Sequence, residues 1–246
     1  MRLSVVVPCY NEQDNIPLIL ERFGNVVNRD DVEVILVDNG STDNSDRVLS
    51  ELLPKYPFAR SIKVDVNRGY GLGILSGLRA ATGEFIGWTH ADMQTDPNDV
   101  IRALELLEQQ PDPENAYAKG LRKGRGLAEN FFTWGMSALE TAYLGRRLWD
   151  INAQPNIFHR SFFESWDDPP HDFSLDLYAL YLASRRGLTL HRFPVLFPER
   201  IHGHSHWNVG LGAKWKFIKR TIDFTIKLKR RLKRDANHRT PTQHDL

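Results

Sequence analysis

One cysteine among 246 residues leaves no intramolecular disulfide to form, and that suits a reducing compartment. Cys9 closes an apolar run, where a buried structural thiol fits better than a nucleophile. Long hydrophobic runs are missing as well. No uninterrupted apolar stretch approaches the roughly 18 residues that a spanning helix needs. The opening run RLSVVVP stops at Pro8, too soon for a secretory leader. Net charge is nearly absent, +1 from 32 Lys and Arg against 31 Asp and Glu, so overall basicity gives no case for nucleic acid. These absences predict a cytoplasmic protein, or one held peripherally at the cytosolic face of a membrane.

What is there is a regular alternation. RLSVVVP, VEVILVD, RSIKVDV and EFIGWTHAD are short runs rich in β-branched and aromatic residues. Between and after them stand NIPLILERFGNVV, STDNSDRVLSELL, GYGLGILSGLRAA and PNDVIRALELLEQ, whose apolar residues recur at helical spacing. NAYAKG adds one more strand. Continuous apolar strands separated by helices predict an α/β fold with a mostly parallel sheet covered on both faces. Ligands of such sheets sit beyond the carboxyl ends of the strands. Four polar clusters should therefore meet along one edge: Pro8 to Glu12 with Tyr10, Asp38 to Gly40, Asp65, and His90 to Gln94.

The last of these clusters carries the chemistry. FIGWTHADMQTDP, residues 85–97, ends a strand on one carboxylate, with a histidine two places before it and a glutamine two places after. A carboxylate there suits a divalent cation carrying phosphates, because Mg²⁺ and Mn²⁺ take oxygen ligands and keep positions open for substrate. An extended chain would point His90, Asp92 and Gln94 to the same side. Asp92 could instead cap the helix expected from Pro97, but Asp96 is better placed for that. The glycines of GYGLG are spaced Gly-x-Gly-x-x-x-Gly and follow the third strand, which departs from a dinucleotide fingerprint. Close helix-to-sheet packing accounts for them.

Past residue 125 the pattern loosens. AENFFTWGMSALETAYLG reads as an aromatic-rich helix, DINAQPNIFHR as a polar turn, and DFSLDLYALYLASRRG as a helix ending at Gly187. LTLHRFPVLFPERIHGHSHW reads as two extended segments and a histidine loop. Asp172 and Asp176, one helical turn apart, are either general-base candidates or a cap and a structural partner. Asn152 and Gln154 lie in an extended turn before Pro155. Residues 213–234 gather Lys216, Lys219, Arg220, Lys227, Arg230, Arg231 and Arg234 in a sector of roughly 120°, with apolar residues around the remainder. Such a helix lies on an anionic membrane surface, the reading favoured here, or buries its apolar side in the domain or a second subunit of a homodimer. The polar tail 235–246 is expected to be disordered.

Taken in order, VVVPCYNE, VILVDNGSTDNS, NRGYGLGILSGLRAATGEFIGWTHADMQTDP and PERIHGHSHW resemble the successive motifs of glycosyltransferase family 2, most closely its dolichyl-phosphate-mannose synthase-like branch. The resemblance covers residues 3–207. It implies a GT-A fold, a single Rossmann-like sheet, as a catalytic domain over residues 1–212. It implies inverting, metal-dependent transfer of a hexose-type sugar from a nucleoside-diphosphate sugar to a lipid-phosphate or glycan acceptor in cell-surface polysaccharide or glycolipid assembly. Mn²⁺ or Mg²⁺ would be the cofactor. By position, Pro8, Tyr10 and Glu12 resemble the wall around base and ribose, and Asp38 the residue that reads the base. Asp65, Gly71 and Ala91 fall on the donor side. Asp92 and Gln94 match the second carboxylate and the glutamine of a metal-binding Asp-Ala-Asp-x-Gln. Arg122 falls near an arginine facing the acceptor phosphate, and Asn152 and Gln154 fall on an acceptor-side loop. Arg200 matches the arginine of a loop that closes over the diphosphate.

Two positions depart from the family pattern. His90 replaces the first aspartate; imidazole suits Mn²⁺ better than Mg²⁺, so His90 biases the site toward Mn²⁺ or leaves Asp92 as sole protein ligand. His206 replaces a lysine and makes the charge of the diphosphate loop pH-dependent. The implied catalysis is stabilisation of the departing diphosphate by a metal at Asp92 with Arg200 and His206. A lipid phosphate is already an anion and needs no base; a sugar hydroxyl would require Asp172 or Asp176. Two other readings compete. A sugar nucleotidyltransferase would want a Gly-rich basic loop where this chain has PCYNEQDN. A non-catalytic nucleotide-sugar sensor is suggested by the loss of the first carboxylate at His90.

Overall fold

The computed structural model describes residues 1–124, 127–196, 212, 219 and 221–230, with residues 127–133 as backbone only. Arg200, His206 and the rest of PERIHGHSHW lie outside the described residues, as does the 235–246 tail. Strands β1 (Leu3–Cys9), β2 (Val32–Asn39), β3 (Ala59–Val64), β4 (Phe85–Trp88), β5 (Ala116–Lys123), β6 (Asn156–His159) and β7 (Thr189–Leu196) form one seven-stranded sheet in the order β3-β2-β1-β4-β6-β5-β7. Among the described residues only β6 is antiparallel, wedged between β4 and β5. The α/β fold with a mostly parallel sheet is therefore present.

Helices α1 (Ile16–Val26), α2 (Ser45–Leu52), α3 (Tyr70–Ala80), α4 (Asn98–Glu108), α5 (Leu127–Leu144), α6 (Arg160–Glu164) and α7 (Leu175–Arg186) cover the sheet. Alternate strand residues feed two core layers. Val5, Val7, Val34, Leu36 and Phe85 pack against α1 and α4 through Ile16, Leu20, Phe23, Val100 and Leu104. Val6, Ile35, Val37, Ile86 and Trp88 pack on the other side with Ile74, Leu75 and Leu78 of α3 and Leu175 and Ala179 of α7. Burial on both faces is why these strands read as unbroken apolar runs.

The second half departs from expectation in two places. NIFH, read as part of a polar turn, is β6, with Ile157 and Phe158 fully buried. LTLHRFPVL, read as part of two extended segments, is the single strand β7, paired among the described residues with β5 alone at the sheet edge. An edge tolerates Pro194, which cannot donate to a ladder.

Residues 221–230 are helical, and their apolar side is covered by the same chain. Thr221, Thr225 and Leu228 are buried, and Leu228 joins Leu148, Ile151, Leu177, Tyr178 and Tyr181 in a third cluster. Thr225 Oγ1 lies 2.8 Å from Glu140 Oε2 of α5. In this stretch the apolar sector meets protein, as the second of the two sequence readings has it, and Lys219, Lys227 and Arg230 stay exposed.

Candidate active site

The parallel strands deliver their polar ends to one edge. After β1 and β2 the loops are laced together. Asn11 N–H donates to Ser41 Oγ at 3.1 Å, and Thr42 N–H donates to Asn11 Oδ1 at 2.8 Å. Glu12 N–H reaches Ser45 Oγ at 3.0 Å, while Asp43 Oδ1 accepts from the Ser45 amide at the start of α2. Asp38 is buried and takes the Ser41 amide at 2.9 Å. Gly40, at φ +71, lies so close to the loop after β3 that a Cβ there would sit 2.5 Å from Asn67 N. The result is a rigid polar wall with Tyr10 42% exposed on it and Asp65 exposed beyond β3.

β4 ends at Trp88, earlier than the sequence reading had it. Residues 90–94 bend instead of extending, and Met93 takes φ +62, a conformation rare for a side chain of its size. His90, Asp92 and Gln94 therefore do not share a side by strand alternation. A turn brings the pair together: Asp92 Oδ1 accepts from the Gln94 amide at 3.2 Å, and Asp92 Oδ2 stands 3.7 Å from His90 Nδ1. Ala91 and Asp92 are buried, and His90 and Gln94 are half-buried. Thr89 and Thr95 pin the bend through a 3.0 Å hydroxyl contact, and Asp96 Oδ1 accepts the Asn98 amide at 2.9 Å one residue before Pro97, which holds the N-cap position of α4.

His90 is held from outside by Tyr70, whose ring stacks on it at 5.7 Å and on Phe173 at 4.8 Å. Tyr70 was not anticipated as a site residue, although its place in GYGLG at the mouth of α3 was a usable signal. Gly71 allows a close approach: a Cβ there would come within 2.7 Å of the Pro170 and Asp172 carbonyl oxygens, so it lets the 170–172 segment lie on α3.

Asp172 and Asp176 do not share a helix. Asp172 precedes α7 and accepts the Ser174 amide at 2.8 Å. Asp176 is inside, accepting from Gln154 Nε2 at 2.9 Å and Asn156 Nδ2 at 3.1 Å, with Lys119 Nζ 3.9 Å away. Burial pushes the Asp176 carboxyl up, against the pull of Lys119 and His90. Gln154 is buried with both ends of its amide engaged: Oε1 accepts from Asn156, and Nε2 also lies 3.4 Å from the Tyr70 hydroxyl. Lys119 is fully buried, donates to Ala153 O and Asn156 Oδ1, and is brought down to about 7 by burial. A lone lysine inside AYAKG was its signature. Arg122, at the end of β5, is clamped by Asp150, which takes its Nε at 2.7 Å and its backbone N–H at 2.8 Å. Asn152 is half-buried.

The donor chemistry of the bend fits a divalent cation. Asp92 and His90 are an oxygen and an imidazole nitrogen side by side; no third His, Cys, Asp or Glu joins them among the described residues. That pair suits Mn²⁺ and leaves the remaining coordination to phosphate and water.

A doubly covered, mostly parallel sheet with its polar loops gathered at the carboxyl edge defines the class of α/β domains whose ligands sit beyond the carboxyl ends of the strands. The chain belongs to Glycosyl transferase family 2, whose family model matches residues 4–173. A relative from Sodalis glossinidius, an undecaprenyl-phosphate 4-deoxy-4-formamido-L-arabinose transferase, is 33% identical over 216 residues, covering 85% of this chain and 63% of the relative. The transferase of the same name from Yersinia enterocolitica is 34% identical over 112 residues, covering 44% of this chain and 34% of the relative. The chain thus spans between about a third and two thirds of these relatives' length. Among solved structures, glucosyl-3-phosphoglycerate synthase from Mycobacterium tuberculosis with Mn²⁺, UDP and phosphoglyceric acid superposes with a TM-score of 0.66 at 20% identity, over 82% of this chain and 72% of that one. A mannosyltransferase from Pyrobaculum calidifontis with GDP-Man and Mn²⁺ gives a TM-score of 0.62 at 21% identity, over 83% of this chain and 58% of that one. Both likenesses are of fold, the GT-A type.

Proposed function

We propose that the protein is an inverting glycosyltransferase that moves a sugar from a nucleoside-diphosphate donor to a lipid-phosphate acceptor, with Mn²⁺ preferred over Mg²⁺. The observation that carries this is Asp92, buried beside His90 at the central carboxyl edge. The relatives named as undecaprenyl-phosphate sugar transferases support the acceptor class. Structural neighbours holding UDP or GDP-Man with Mn²⁺ support the donor class and cofactor.

In this reading the loops after β1, β2 and β3 hold the nucleoside, with Pro8, Tyr10, Glu12, Asp38 and Asp65 on that wall. Asp92 and His90 would hold the cation, which when bound neutralises charge on the diphosphate as the sugar bond breaks. Arg200 and His206 would close over the same diphosphate. Arg122, oriented by Asp150, would meet the acceptor phosphate from the end of β5. A phosphate nucleophile needs no proton removed, and the placement of Asp176 agrees: its carboxylate is spent on Gln154 and Asn156 inside the domain. Asp172, half-buried at the rim, is the better base if the acceptor is a hydroxyl.

Calorimetric titration with UDP, GDP and their sugars, each with Mn²⁺, Mg²⁺ or EDTA, tests the reading. Metal-dependent binding of one nucleotide series is expected; no binding under any metal would overturn it.

A further inference from the structure

α5 turns a helix face to solvent that carries no charge between residues 134 and 143. Its inner residues are Ser137 and Glu140, buried against the domain. The outer ones are Trp134, Gly135, Ala138, Leu139, Ala142 and Tyr143, all exposed. Trp134 is 54% exposed and Leu139 44%. A helix on a monomer's surface ordinarily turns charge outward, and large apolar side chains grouped this way mark an interaction surface.

Two further observations say what covers it. The first is position. The chain leaves α5 through Gly145, Arg146 and Arg147 to Trp149, itself 44% exposed. The Trp149 carbonyl accepts from Arg192 of β7, and the next residue, Asp150, clamps Arg122. The apolar face therefore runs onto the carboxyl edge of the sheet, the edge that carries Asp92. Leu196, at the carboxyl end of β7, is 74% exposed on that edge too.

The second is charge. Arg146 and Arg147 are exposed at one end of the face. Along its side lies the helical stretch 221–230, joined to α5 by Lys229, whose Nζ sits 4.2 Å over the Tyr143 ring. Lys227 and Arg230 project outward from that stretch; Asp223 is the acid exposed beside them. Tryptophan and tyrosine bordered by lysine and arginine is the composition that settles at the headgroup level of a bilayer, and cations there are drawn to anionic lipid.

We infer that the outer face of α5, continued through Trp149, docks on the surface of an anionic lipid bilayer. The apolar anchor is then α5, while the C-terminal helix, its own apolar side spent on Leu177, Tyr178 and Tyr181, supplies cations. A second copy of the chain is disfavoured as the occupant, because a two-fold pairing lays the patch on itself, and its exposed charges are Arg146, Arg147, Lys227 and Arg230 against the acid Asp223. The inference deepens the lipid-phosphate reading, since docking there brings the carboxyl edge to the membrane. It is tested by binding alone, so either can fail without the other.

The experiment is sedimentation of the full chain with vesicles of phosphatidylglycerol and phosphatidylcholine, against phosphatidylcholine alone, with nucleotide binding by calorimetry as the fold control. The wild type is expected to sediment with the anionic vesicles. Trp134→Ser, Leu139→Ser and Trp149→Ser together should lower the partition constant at least tenfold. Arg146→Gln and Arg147→Gln should each lower it about fivefold, at surface positions that cannot disturb the core. Nucleotide binding should be unchanged in both. No sedimentation of the wild type, or equal sedimentation of the variants, would overturn the inference. So would a concentration-dependent dimer in ultracentrifugation that the same substitutions abolish, which would assign the face to a second copy.

Discussion

The two halves of the sheet treat buried charge in opposite ways. In β1, β2 and β4 the strands are buried and largely apolar, and most of their polar groups are sent to the ends. A buried carboxylate near the amino end, Glu33, is fully provided for: it accepts from Ser4, Thr82 and Arg60 at 2.5, 2.7 and 2.8 Å. Burial pushes it up, but those donors outweigh burial and bring it to about 2. Beyond β4, charge goes into the middle. Lys119, Glu140, Asp150 and Asp176 are all buried, and Glu140 has Thr225 on one oxygen while Oε1 has no partner among the described residues. Burial takes it up to about 7. The first half thus spends its polar residues on a hydrogen-bonded wall at the carboxyl edge; the second spends them on holding irregular segments around an antiparallel strand.

The comparison assigns activity to the edge of the first half and stability to the interior of the second. The largest effect should come from Asp92→Ala. Turnover should fall by about a thousandfold or more, with an unchanged thermal transition, because the variant removes the carboxylate proposed to hold a cation against the diphosphate. Near-normal turnover would remove Asp92 from the chemistry.

Asp176→Ala should do the reverse. It leaves buried Lys119 without its carboxylate and strips acceptors from Gln154 and Asn156, at a cost of about 3 kcal/mol. Urea unfolding should show the loss. Activity gone with stability intact would instead make Asp176 the general base and place catalysis inside the second half.

The two glutamates sharpen the contrast through pH. Glu33 titrates lower when folded than its ordinary 4.5, so its contribution is present above pH 4.5 and fades as pH falls toward 2. Glu140 titrates higher when folded, so the domain is favoured below pH 4.5 and loses that advantage as pH rises through 7. Glu33→Gln should therefore cost about 2 kcal/mol at neutral pH, and Glu140→Gln should gain about 2 kcal/mol at pH 8 while changing little at pH 5. Urea midpoints between pH 3 and 8 read both; slopes of the same sign would erase the distinction.

What was legible in the sequence follows the same divide. β1, β2 and β4 announce themselves because burial on both faces makes each a nearly unbroken apolar run, β3 shows only an alternation of half-buried and exposed residues, and the polar residues that follow mark the edge. β6 did not, since four residues between Pro155 and Arg160 carry too short a pattern to separate strand from turn. The pairing of Asp172 and Asp176 failed because helical spacing presumes a helix, and α7 begins only at Leu175. Gln154 and Asn156 read as polar turn residues because their partner Asp176 lies some twenty places away, and no local pattern encodes that contact. Nothing local encodes the ring contacts of Tyr70, because its partners, His90 and Phe173, lie far along the chain.

His90 is where the two halves touch, and it offers the smallest and most diagnostic change. Its ring lies 3.7 Å from Asp92 on one side and stacks on Tyr70 on the other, and the Tyr70 hydroxyl reaches Gln154 and through it Asp176. If His90 shares the cation with Asp92, His90→Asp exchanges a nitrogen donor for an oxygen one, and the ratio of activity with Mn²⁺ to that with Mg²⁺ should fall several-fold. If His90 only braces the bend against Tyr70, the substitution loses the stacked ring, stability drops by about 1 kcal/mol, and the metal ratio stays where it was. Metal titration of turnover beside urea unfolding of the same variant separates the two outcomes.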